Sequence, residues 1–174
     1  MPELSDPDWA YAAAFVDGEG CIAIVRSFAP ARGRYYYGVN VVVANRDRKV
    51  LDWMQINWGG WVVPVSSRRG LAQESWTWRC SSLAARPVLI GIRPWLRIKS
   101  KQCDNALEMI GLLQRSRGTL GRAPLPKSWL AEQEELYWGQ RRLNHRGATP
   151  FVKRAMHSPR LIKRAQYAAN LGPQ

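Results

Sequence analysis

The sequence predicts an α+β fold: a four-stranded antiparallel sheet with helices on one face, in the order αββαββα, followed by extra C-terminal helices. Three observations carry that expectation. Trp9 to Val16 is a run of small or apolar residues that ends in the acid–glycine series Asp17-Gly18-Glu19-Gly20. Residues 34–44 alternate, with Tyr35, Tyr37, Val39, Val41 and Val43 on one side and Tyr36, Gly38, Asn40 and Val42 on the other. Turn residues at Pro30, Gly33 and Gly59-Gly60 then divide the chain into helix, two strands, helix, two strands and helix.

Asp6-Pro7-Asp8 reads as a helix start, with Asp6 as the cap, Pro7 in the first turn and Asp8 near the positive end. This helix should run to about Asp17, where Gly18 and Gly20 release it into a strand over 21–28. A second strand covers 34–44, its valine face in the core and its Asn40 face toward a ligand. Val50, Leu51, Met54 and Trp58 recur at helical spacing over 47–58, and Gly59-Gly60 ends that helix. Two further strands, 61–66 and 74–81, flank a loop with Arg68, Arg69 and Gly70. In the latter strand Trp76, Trp78 and Cys80 alternate with Ser75, Thr77 and Arg79, which places the tryptophans in the core. Helices follow at 83–91, 100–115 and 128–142, the last after a connection containing Pro124 and Pro126. Residues 1–118 form the core, and 119–174 a helical and basic C-terminal extension of the same domain.

The 174 residues suffice for one domain with a substantial interior. Lys and Arg number 26 against 13 acids, giving a net charge of +13 at pH 7, which favours a polyanionic partner and above all nucleic acid. Cys21, Cys80 and Cys103 have no CxxC or Cys/His ligand spacing, which argues against structural zinc and a disulfide framework. They read as small apolar residues in a reducing compartment. An acidic N-terminus lacks the basic start of a signal peptide, and no apolar run reaches membrane-spanning length. An intracellular, soluble protein without a membrane partner is expected. No glycine-rich phosphate loop, nucleophilic triad or nucleotide-cofactor motif competes.

Two acids at the carboxyl end of a helix oppose its macrodipole. Ala10, Ala14 and Gly18, spaced by four, leave one face of that helix free of bulk. Acids at the tip of a helix that a second helix can approach closely suggest a metal site at an interface. The segment Ala12-Ala13-Ala14-Phe15-Val16-Asp17-Gly18-Glu19-Gly20 resembles the signature of the LAGLIDADG homing endonucleases. Residues 43–51 resemble the family's stretch with a water-positioning polar residue, and 94–102 its stretch around a catalytic lysine; the resemblance covers roughly 9–113. A single signature copy implies the homodimeric, single-motif type.

The resemblance implies a site-specific double-strand DNA endonuclease, hydrolysing phosphodiester bonds with a metal at a long pseudo-palindromic site. The four-stranded sheet would be a saddle on the DNA. It would be encoded in an intron, an intein or a free-standing gene. Glu19 becomes the metal-binding and catalytic acid, with Gly18 beside it at the metal; Asp17 serves the interface. Carboxylates and water suit Mg²⁺, with Mn²⁺ substituting. Asn45 would organise water, Lys49 contact phosphate, and Lys99 polarise the scissile phosphate, with Lys101 as the substitute in a shifted register. Ser27, Arg32, Arg34, Tyr36, Asn40, Arg68, Arg69, Ser75, Thr77 and Arg79 would read DNA, while Ala10, Ala13, Ala14, Asp17 and Gly18 form the dimer interface. Arg141, Arg142, Arg146, Lys153, Arg154, Arg160, Lys163 and Arg164 either grip flanking phosphates or form a solvated tail. Glu132, Glu134 and Glu135 are expected on the outer face of their helix. One competing reading is an RNA-splicing maturase, which adds intron RNA as a partner, or a non-cleaving DNA-binding regulator on the same fold; another is an unrelated basic RNA-binding protein, which leaves the signature helix unexplained.

Overall fold

The computed structural model describes residues 4–30, 33–65, 74–119 and 125–145, without the side chains of 117–119. Its elements run α1 (Asp6–Glu19), β1 (Gly20–Ala29), β2 (Arg34–Asn45), α2 (Arg48–Trp58), β3 (Trp61–Pro64), β4 (Trp76–Ser81), α3 (Ala85–Ile92), α4 (Ser100–Thr119) and α5 (Lys127–Leu143). The four strands form one antiparallel sheet in the order β1-β2-β4-β3. The α+β architecture is the expected one, with element ends shifted by a few residues. The cap of α1 differs from expectation. Ser5, not Asp6, precedes the helix, and its main-chain N–H and hydroxyl both donate to the Asp8 carboxylate, at 3.0 and 2.6 Å. Those bonds hold the Asp8 carboxyl below its usual range.

One face of the sheet is the core. Ile22, Ile24, Val39, Val41, Val43, Trp78 and Cys80 all point into it and are buried. Ala12, Ala13 and Val16 of α1 cover them together with Leu51, Met54 and Trp58 of α2 and Cys103, Ala106, Met109 and Ile110 of α4. Each fully buried aliphatic side chain contributes on the order of 1.5–3 kcal/mol. Between α1, α2 and the sheet, Trp58 lies 5.4 Å from Trp9, 5.1 Å from Trp53 and 6.2 Å from Trp78 by ring centroid. Trp9 also fills the space over Gly91 of α3, where a Cβ would fall 2.2 Å from the ring. Cys80 and Cys103 are buried as expected, and burial pushes the Cys103 thiol up to about 12; Cys21 is exposed.

α5 packs on β1 and α4 through polar contacts that the sequence reading did not foresee. The Gln140 and Asn144 amides donate to the Ile22 main-chain oxygen at 2.6 and 2.8 Å, and so occupy part of the free edge of β1. Asn105 of α4 donates to the Gln140 side chain at 2.8 Å and to the Leu136 main-chain oxygen at 2.9 Å. Glu134 corrects an expectation, because it faces the sheet rather than solvent. The Arg26 guanidinium grips it at 2.8 and 3.1 Å, and Tyr37 and Trp138 also donate to it. Burial works against the Glu134 charge, but the hydrogen bonds from Tyr37, Trp138 and Arg26 outweigh it and hold the carboxyl below its usual range. The same Arg26 lies over the Tyr35 and Tyr137 rings at 4.3 and 4.7 Å. Among the described residues, no helix is long and apolar enough to cross a membrane.

Candidate active site and nucleic-acid interface

The carboxyl end of α1 is built by the signature segment itself. Gly20 makes the change from helix to strand, and a Cβ there would come within 2.7 Å of the Val16 main chain. The turn leaves Gly18 and Glu19 exposed. Asp17 points the other way. Its carboxylate accepts the main-chain N–H groups of Arg97 (2.7 Å), Ile98 (3.1 Å) and Lys99 (2.9 Å), in the segment leading into α4. Lys99 is only 4% exposed, and its ammonium donates to the Asp17 main-chain oxygen. The Lys99 main-chain oxygen accepts the Cys103 N–H at 2.9 Å, as the first turn of α4.

Asn45 and Lys49 come to the same end of the sheet. Gly20, which opens β1, pairs with Val43, so Asn45 lies two residues beyond that pairing, roughly 7 Å along the strand. The Asn45 side-chain oxygen accepts the Asp47 N–H at 2.8 Å, and the Asp47 carboxylate accepts the Lys49 N–H at 2.9 Å. These two short turns cap α2 and fix the exit from β2. Lys49 is exposed at the first turn of α2, as is Lys101 at the first turn of α4.

The face of the sheet away from the helices carries the other predicted residues. Its cross-strand rows are Ala44–Thr77–Val63, Cys21–Val42–Arg79–Trp61, Ala23–Asn40–Ser81, Val25–Gly38, Ser27–Tyr36 and Ala29–Arg34. Ser27, Arg34, Tyr36, Asn40, Thr77 and Arg79 therefore share this face, and Ser75 precedes β4 in the same alternation. Arg34 donates to the Tyr36 hydroxyl at 3.0 Å. Arg79 is exposed, and among the described residues no hydrogen bond or ion pair engages its guanidinium. Arg32, Arg68, Arg69, Arg146, Lys153, Arg154, Arg160, Lys163 and Arg164 lie outside the described residues.

Solved structures share this fold. The homing endonuclease I-CvuI, in complex with its target in the presence of 2 mM Ca, superposes with a TM-score of 0.66 at 20% identity, over 94% of this chain and 96% of that one. The archaeal intron-encoded homing endonuclease I-Vdi141I, complexed with DNA, gives a TM-score of 0.65 at 14% identity over 84% and 90%. This chain has the fold of the LAGLIDADG homing endonucleases. I-LtrWI, a LAGLIDADG homing endonuclease bound to target DNA, gives a TM-score of 0.58 at 15% identity; 79% of this chain matches 44% of that one. The chain thus corresponds to nearly the whole of the first two and to less than half of the third. No protein-family model and no curated sequence matches it.

Within the LAGLIDADG fold, the outer surface of α1 carries Ala10, Ala14 and Gly18, with Ala14 and Gly18 exposed and nothing within 4 Å of a Cβ placed on Gly18. Ala13 corrects an expectation. It is fully buried among the core residues of its own chain, and so is not available to a second copy. Asp17 is likewise occupied within the chain by the three N–H groups. Among the described residues no three His, Cys, Asp or Glu side chains come together. What α1 offers a cation is the Glu19 carboxylate with main-chain oxygen nearby, a hard oxygen set that fits Mg²⁺ rather than zinc. The sequence reading also missed Trp61 and Val63, exposed on the open face, although their alternation with Val62 was the available signal.

Proposed function

We propose that this chain is a site-specific double-strand DNA endonuclease that acts as a homodimer, two copies meeting through the outer surfaces of α1. One observation carries the reading: the exposed Glu19 stands at the junction of a helix with a bare outer face and an open four-stranded sheet. A two-fold contact along Ala10, Ala14 and Gly18 brings two Glu19 carboxylates together and makes the two sheets one continuous surface. The major groove displays a distinct edge for every base pair, and a curved sheet fits into it. The net charge of +13 favours the approach of any polyanionic duplex. Two half-sites related by the dimer axis make the target long and pseudo-palindromic.

Mg²⁺, or Mn²⁺ in its place, would supply charge neutralisation at the scissile phosphate. Glu19, with Gly18 beside it, would hold the ion. The two carboxylates repel each other when brought close, so a cation also relieves that repulsion. Asn45, held by its turn to Asp47, leaves its amide nitrogen to orient water. Lys49 contacts a neighbouring phosphate. Lys99 places a buried positive charge directly behind the α1 tip and fixes the backbone two residues before Glu19. Of the described basic residues beyond α4, Arg141 and Arg142 are exposed at the end of α5 and would grip flanking phosphates.

The test is selection from a randomised duplex library, with Mg²⁺ and again with Ca²⁺. A palindrome-like site cut with Mg²⁺ and bound without cutting in Ca²⁺ is expected. Specific binding without cutting in Mg²⁺ or Mn²⁺ would leave a DNA-binding regulator or a maturase instead.

A further inference from the structure

The open face is not uniformly polar, and its two described arginines differ: Arg34 bonds Tyr36, whereas Arg79 stands among apolar groups. The row Cys21–Val42–Arg79–Trp61 crosses all four strands, with Arg79 set between Val42 and Trp61 on its two neighbouring strands. Val63 lies two residues along β3 on the same face. Trp61 and Val63 are 44% and 40% exposed, large apolar groups on an edge strand. Their position is held by the turn before them. Gly59 and Gly60 have φ of 70° and 80°, the Gly59 main-chain oxygen accepts the Trp78 indole N–H at 2.9 Å, and a Cβ on Gly60 would fall 2.3 Å from the Arg79 main-chain oxygen. That close approach sets Trp61 directly opposite Arg79. Whereas Arg34 is engaged by Tyr36, the Arg79 fork has no hydrogen bond or ion pair among the described residues and lies between Val42 and Trp61.

We propose that this row is a composite reading site in each half of the target: Arg79 takes the O6 and N7 of a guanine, and Trp61 with Val63 covers the 5-methyl group of an adjacent thymine. The inference rests on the DNA-binding reading above. The chemistry is specific to bases rather than phosphates. A guanidinium fork matches two acceptors on guanine, and the thymine methyl is the apolar group on the major-groove edge. A phosphate contact would leave Trp61 and Val63 facing water.

Duplexes selected by binding in Ca²⁺ test this with the wild type, Arg79→Ala and Trp61→Ala, alongside duplexes carrying deoxyuridine for thymine. The wild type should select a guanine next to a thymine in each half-site. Arg79→Ala should lose the guanine preference by about 5- to 150-fold at that pair alone. Trp61→Ala should keep the guanine and lose a discrimination of about 2- to 5-fold between thymine and deoxyuridine. An unchanged melting temperature shows that both variants fold; for Trp61→Ala, Trp61→Leu serves as a second variant that restores apolar cover. An enriched duplex indifferent to Arg79→Ala and to the thymine methyl overturns this inference alone. No enriched duplex for the wild type overturns the endonuclease reading beneath it.

Discussion

The Asp17 carboxylate accepts three main-chain N–H groups from Arg97, Ile98 and Lys99, and the Lys99 ammonium donates back to the Asp17 main-chain oxygen. An acid at the carboxyl end of α1 faces the negative pole of that helix, an unfavourable place by itself. Here it also meets the three N–H groups of the segment that leads into α4. Those three main-chain dipoles and a buried ammonium offset the negative end of α1. The clasp joins residues about eighty positions apart and sets the backbone from which Glu19 projects.

Asp17→Ala should therefore cost about 2–3 kcal/mol in urea unfolding, the worth of hydrogen bonds to a charged acceptor. Lys99→Met keeps the aliphatic stem and should cost less, about 1–1.5 kcal/mol. Both should lower cleavage, and Lys99→Met by far more than its stability loss explains. Near wild-type cutting by Lys99→Met would reduce Lys99 to a strut.

Gly91 and Gly111 make opposite demands although both are helical. At Gly91 a Cβ meets the Trp9 ring, whereas at Gly111 nothing lies within 4 Å. Gly91→Ala should destabilise by about 1–3 kcal/mol through overpacking. Gly111→Ala should stabilise by roughly 0.5–1 kcal/mol, the ordinary helical preference for alanine. Paired thermal melts check both signs; a stabilising Gly91→Ala would mean that α1 and α3 do not pack as described.

The parity of β2 and β4 was legible in the sequence because alternating Val and Trp separate two chemically distinct faces. Arg26 was not singled out in the sequence; it shares the inner face of β1 with Ile22 and Ile24, where a charged residue reads as an exception until its partner is known. That partner, Glu134, is more than a hundred residues away on α5 and was assigned to solvent by its charge. The faces of α1 were harder to read. Alanines occupy both its buried side (Ala12, Ala13) and its outer side (Ala10, Ala14), so hydropathy does not separate them. Asp17 looked like an interface acid because the N–H donors that engage it come from residues 97–99, about eighty positions away.

The Arg26–Glu134 clamp gives stability a sign in pH. Because the folded Glu134 carboxyl titrates below its unfolded value, the unfolded chain binds the extra proton. Its contribution is present above about pH 4.5, the ordinary carboxyl value, and is lost as pH falls through the lower folded value. Melting temperatures from pH 6 to pH 3 should fall less steeply for Glu134→Gln than for the wild type. Parallel profiles would show that the clamp adds no net charge stabilisation.

The interface and the chemistry separate in a pair of variants on the same helix. Ala14 is exposed on the outer side of α1, and leucine is nearly as good a helix former, so Ala14→Leu should leave the monomer folded. Added bulk between two closely packed helices costs on the order of 1–3 kcal/mol, enough to weaken the dimer by about 5- to 150-fold and cutting with it. Glu19→Gln should do the reverse: an intact dimer and specific duplex binding, with cleavage abolished. Light scattering on each, beside a cleavage assay, distinguishes the two roles. A dimeric, fully active Ala14→Leu would move the interface off this face of α1, and residual cutting by Glu19→Gln would remove Glu19 from the mechanism.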